Sequence, residues 1–169
     1  MKKNLIIIFL MITFPIKVFA LIEVDITRGN LNPLPLAVSP LSIDDKSKTS
    51  FKQILKKENI GSEISVIVEN NLRTSGLFNP LSKEAFLQAP DIANLKPRFE
   101  DWNLIKAQAL ITGKVTYVNE KLRVEFRLWD ILAAKEMMAL AFTTVPSNWR
   151  RVGHIISDKV YERLTGEKG

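Results

Sequence analysis

The chain has 169 residues, with 24 Lys and Arg against 18 Asp and Glu, one His and no Cys. That length suits one domain, and 46% hydrophobic with 25% charged residues is the composition of a globular protein, not a disordered one. The absence of cysteine excludes a disulfide framework, a thiolate nucleophile and a Cys-based zinc site, and one histidine cannot build a His-rich metal site.

Met1, Lys2 and Lys3 make a short basic start, and residues 5–14 are apolar apart from Thr13. Val18-Phe19-Ala20 follows, a small-residue cleavage pattern. This is the layout of a secretory signal peptide, expected over residues 1–20 and removed after Ala20. The apolar run is shorter than the ~20 residues a bilayer span requires, and no Cys follows the cut to carry a lipid. Lys2, Lys3 and Lys17 leave with the leader, taking the formal charge from +6 to +3. A balance that mild, on an exported protein, speaks against nucleic acid as a partner.

Ile22, Glu23, Val24, Asp25, Ile26 and Thr27 alternate apolar and polar residues, the pattern of a half-buried strand. Arg28-Gly29-Asn30 and the prolines beyond end it, so residues 21–34 are expected to be a terminal strand with a linker, and 35–169 the folded body. Leu36-Ala37-Val38, closed by Ser39-Pro40, suits a short buried strand. Residues 44–59 carry Lys46, Lys48, Lys52, Lys56 and Lys57, and their weak periodicity predicts a solvated insertion or short exposed helix.

Ile60, Ile64, Ile67, Val68 and Leu72 form one apolar stripe of a helix, with Ser62 as expected N-cap and Gly76 as C-cap. Ser82 can cap a helical turn over 83–87, residues 89–97 are expected to be a loop, and 100–107 a short helix bearing Trp102. Residues 109–118 are rich in β-branched and apolar side chains, and Asn119-Glu120-Lys121 marks a turn. The next strand alternates cleanly, with Leu122, Val124, Phe126 and Leu128 on the buried face and Arg123, Glu125, Arg127 and Trp129 on the wetter one. A reversal at 133–135 leads to a third strand over 136–145, whose inward face is expected to carry Met137, Ala139, Ala141, Thr143 and Val145. Asn148 can cap a final helix with Val152, Ile155, Ile156, Val160 and Leu164 on its stripe, stopped by Gly166. The expected fold class is α+β: a mixed sheet with an antiparallel three-stranded meander and two main packed helices.

His154, Ser157 and Asp158 share a helix face, but without a nucleophile elbow they make a polar face and not a hydrolase triad. Asp44-Asp45 suits a cap or turn, since no metal-loop pattern surrounds it. Trp102 and Trp149 are expected in core or half-buried positions, and Trp129 as a docked or interfacial ring. No glycine-rich phosphate loop is present, so neither cofactor nor small-molecule substrate is expected.

Several stretches, in order, resemble the N-terminal domain of the TolB family, periplasmic components of the Tol-Pal envelope system. They are residues 22–27 directly after the leader, Leu36-Ala37-Val38-Ser39-Pro40, the helix end from Leu72 to Leu81, and Trp102 followed by a strand carrying Gly113. The most specific is the run from Arg150 to Gly169. The lysine-rich segment departs from the family pattern. Family members carry a β-propeller after this domain and bind the lipoprotein Pal mainly through it; no repeated blade is found here, so Pal is not an expected partner. The resemblance implies a non-enzymatic periplasmic protein whose first mature residues dock into the body or are released to bind TolA, supporting outer-membrane constriction in division and envelope integrity. On this sequence those positions are Ile22, Glu23, Val24, Asp25, Ile26 and Thr27. An alternating strand at a free terminus can add to a partner's sheet edge. The alternative is a stand-alone periplasmic adaptor of similar fold that binds another envelope protein.

Overall fold

The computed structural model describes Ile22 and residues 32–168; the expected leader lies outside them. Six strands form one mixed sheet: β1 (Leu34–Val38), β2 (Ser42–Ile43), β3 (Phe78–Pro80), β4 (Ala109–Val118), β5 (Lys121–Asp130) and β6 (Lys135–Thr144). Five α-helices accompany them: α1 (Asp45–Leu55), α2 (Ile60–Thr74), α3 (Pro90–Leu95), α4 (Phe99–Leu104) and α5 (Trp149–Thr165). The sheet order is β3-β1-β4-β5-β6, with β2 also pairing β4. β1 runs parallel to β3 and β4, and β4, β5 and β6 make the antiparallel meander. The α+β class and the meander are as the sequence implied.

Strand alternation separates two cores. Leu36, Val38, Ile111, Val115, Leu122, Val124, Phe126 and Leu128 face the helix layer, where they meet Phe51 of α1, Ile64 and Leu72 of α2, and Val152, Ile156 and Val160 of α5. The intervening residues Ala37, Leu110 and Trp129 face the other way, onto Ala93 of α3 and Trp102 of α4. The corner after β1 is clamped to α2. Ser65 Oγ accepts from the Leu41 backbone N–H at 3.0 Å and lies 3.1 Å from the Ser39 carbonyl, to which it can donate. A Cβ on Gly61 would overlap the Leu41 carbonyl oxygen, so glycine permits that close approach.

Five local expectations need correction or refinement. The lysine-rich segment is the short helix allowed for, mostly exposed, but one face is packed: Phe51 is 0% exposed and meets Tyr117 edge to face, with centroids 5.5 Å apart. α2 begins at Ile60 with Asn59, not Ser62, at the N-cap. Residues 89–97 contain α3, because Pro90 stands at the first helical position, where its missing N–H costs nothing. Trp129 docks on Phe99, and the face expected to be wetter is buried there: its Nε1–H donates to Thr112 Oγ1 at 2.9 Å. The inward face of β6 is also the opposite of the one expected. Register places Phe142 beside Val124, Leu140 beside Phe126 and Met138 beside Leu128, and a bulge at Leu128/Trp129 brings Met137 against the same core. Trp102, Trp149, Gly76 and Gly166 take their expected roles, with both glycines in the left-handed conformation.

Candidate partner-binding site

Of the six terminal residues singled out, Ile22 is described; Glu23, Val24, Asp25, Ile26 and Thr27 lie outside the described residues. Ile22 is half-buried and packs on the main core. It lines a groove of about 430 Å³ with Met138 and Leu140 of β6, Lys159, Glu162 and Arg163 of α5, and Gly166. Ile22, Met138 and Leu140 supply an apolar side, and α5 supplies a charged one. Lys159 holds Glu162 in an ion pair at 2.7 Å. The hydrogen bond from Lys159, helped by its charge, keeps the Glu162 carboxyl below the usual carboxylate range. Arg163 Nε–H reaches the Met137 carbonyl at 3.4 Å and so ties α5 to the strand edge.

The backbone of Ile22 is held from the end of β5. Its N–H donates to Asp130 Oδ2 at 3.2 Å, and Asp130 Oδ1 accepts from the Ala133 N–H at 2.8 Å. Asp130 is 0% exposed. Sequence reasoning passed over this residue, which looks like an ordinary strand-ending aspartate before a turn. Among the described residues β6 pairs with β5 alone, so its outer edge borders the groove unpaired, and no charged residue lies in it from Met137 to Thr144.

His154, Ser157 and Asp158 show no catalytic arrangement. Ser157 Oγ–H donates to the Gly153 carbonyl at 2.8 Å and accepts from Asn71 Nδ2 at 3.0 Å. The same amide lies 2.8 Å from His154 Nδ1, so these side chains join α2 to α5. Asp44 caps α1, accepting from the Ser47 N–H at 2.9 Å, and that bond leads the causes that lower its pKa. Among the described residues no group of three or more His, Asp or Glu could hold a metal ion, and no helix is long and apolar enough to cross a membrane.

Comparison with known proteins agrees with this architecture. The chain is 84% identical over 160 residues to the Tol-Pal system protein TolB of Pelagibacter ubique (strain HTCC1062), an alignment covering 95% of this chain and 36% of that protein. The chain thus spans little more than a third of that relative's length. The crystal structure of TolB from Acinetobacter baumannii shares the fold, with a TM-score of 0.62 at 22% identity over 82% of this chain and 30% of the other. The family model of the TolB amino-terminal domain matches residues 22–137, well over half of the sequence, and the chain belongs to that family.

Proposed function

We propose that this chain is a periplasmic component of the Tol-Pal system that captures TolA through an exchangeable N-terminal segment, residues 22–27, and so supports outer-membrane constriction during division and envelope integrity. Family membership and the Tol-Pal name of the 84% identical relative support the system. The observation that carries the segment is Ile22. It sits in a groove beside the outer edge of β6, which pairs with β5 alone among the described residues, and its N–H donates to Asp130 Oδ2. An alternating segment at a terminus can exchange such a groove for a partner's sheet edge. The chemistry is recognition without bond making, and it needs no cofactor.

The test is a deletion. The mature protein lacking residues 22–27 should keep its melting temperature within a few degrees and lose capture of TolA in a pull-down. Capture at wild-type level by the shortened protein would refute the proposal. Retained capture of a different envelope protein, with no TolA bound by either form, would favour an adaptor of the same fold.

A further inference from the structure

We propose that the groove between the end of α2 and the middle of α5 is a docking site for an arginine side chain presented by a partner protein. The groove holds about 350 Å³ and shares no lining residue with the one around Ile22.

Asn71, Thr74 and Ser75 line it from one side, and Ser157, Asp158 and Tyr161 from the other. The hydrogen bonds these groups already make decide what can enter. Both amide hydrogens of Asn71 are committed, to His154 Nδ1 at 2.8 Å and to Ser157 Oγ at 3.0 Å. Three hydroxyl protons go to carbonyls three or four residues back: Thr74 to Asn70 at 2.8 Å, Ser75 to Leu72 at 2.6 Å and Ser157 to Gly153 at 2.8 Å. The backbone N–H groups of Ser75, Gly76 and Leu77 are taken by the Asn71 and Arg73 carbonyls and by Ser75 Oγ. Of the lining side chains, only Tyr161 keeps an uncommitted donor among the described residues. What is left is a set of acceptors. Asp158 is exposed, and its carboxylate has neither an ion pair nor a hydrogen bond among the described residues. Asn71 Oδ1 and the lone pairs of Thr74 Oγ1 stand across from it. The carbonyl end of α2 adds partial negative charge. Neighbouring cations are engaged elsewhere, Arg73 with Glu69 and Lys159 with Glu162.

Such a set repels phosphate and carboxylate, and it offers a sugar hydroxyl almost no donor. It suits a ligand that brings positive charge and many donors. A guanidinium has five donors in a rigid fork and no acceptor, so it can pair with Asp158 while its other N–H groups face α2. A free amino acid would carry its own carboxylate into the same field, so an arginine within a polypeptide is the better fit.

The probe is the capped tripeptide acetyl-Gly-Arg-Gly-amide, titrated into the isotope-labelled mature chain and followed by NMR. Amide signals of residues 71–75 and 157–161 should shift and saturate in the millimolar range, as a one-residue anchor allows. The citrulline peptide, alike in shape but uncharged, should bind about tenfold more weakly, and the lysine peptide and free L-arginine should also bind more weakly. Asp158→Asn, which keeps the side-chain shape at an exposed position, should weaken the arginine peptide about tenfold. Absent or scattered shifts, an equal affinity for the citrulline or lysine peptide, or an unchanged affinity in Asp158→Asn would overturn the proposal. Free L-arginine binding more tightly than the peptide would make the groove a small-molecule site and overturn it as a docking site.

Discussion

Phe51 shows how one residue decides the character of a whole segment. Five lysines surround it between 46 and 57, yet its ring is 0% exposed against Tyr117 and the main core. Phe51→Ala should cost about 3–5 kcal/mol, the usual range for an aromatic truncated in a core, measured by denaturant unfolding. A loss under 1 kcal/mol would mean that the segment is the solvated insertion its composition suggests. Glu69 carries a second residue-scale prediction. Burial pushes its carboxyl up, but hydrogen bonds and charge from Arg73 and Lys83 outweigh that and hold its pKa below the ordinary glutamate value of 4.5. Its contacts join α2 to the turn after β3, at 2.6 Å to Arg73 and 3.0 Å to Lys83. A depressed folded-state pKa gives stability that is full above the unfolded value and is lost as pH falls through the folded one. Wild type should therefore melt above Glu69→Gln at pH 7, and the gap should close as pH drops below 4.5 toward acid. A gap constant with pH would contradict the ion pairs as its source.

At the scale of elements, the β4–β5 hairpin turns through Asn119 and Glu120, both left-handed at φ 49° and 61°. That is the backbone of a two-residue primed turn, which prefers Asn-Gly. Glu120→Gly should stabilise the protein by about 0.5–1 kcal/mol, the relief of left-handed strain less the added unfolded-state entropy; a lower melting temperature would contradict that turn geometry. The strongly patterned elements were legible in the sequence. β4, the alternating β5, and the stripes of α2 and α5 follow from hydrophobic period alone, because each buries a full face. The misread elements share a cause: their partners are distant in sequence. β6 is an edge strand with half-exposed residues on both faces, so small residues looked inward until register with β5 turned Phe142 and Met138 to the core. α3 hid behind a proline that starts it. Trp129 looked exposed because the three residues sharing its face are charged, and its cover comes from Phe99 of α4.

Of the candidate site, alternation drew attention to residues 22–27, of which Ile22 alone is described, but nothing local ties Ile22 to Asp130 or to a groove made of β6 and α5. Those contacts bridge 108 positions and exist only once the meander and the last helix are in place. On the scale of the whole molecule, the fold presents a sheet-and-helix body with Ile22 seated in the groove between β6 and α5. On the proposed exchange, capture of TolA would carry the cost of undocking, because a binding-competent state populated only in part weakens apparent affinity by that fraction. A synthetic peptide of residues 21–31 has no body to leave. Titrating TolA with this peptide and with the mature protein is the most direct comparison. The peptide should bind, and more tightly than the protein; a peptide without affinity for TolA, beside a protein that captures it, would place the epitope on the folded body and contradict the exchange.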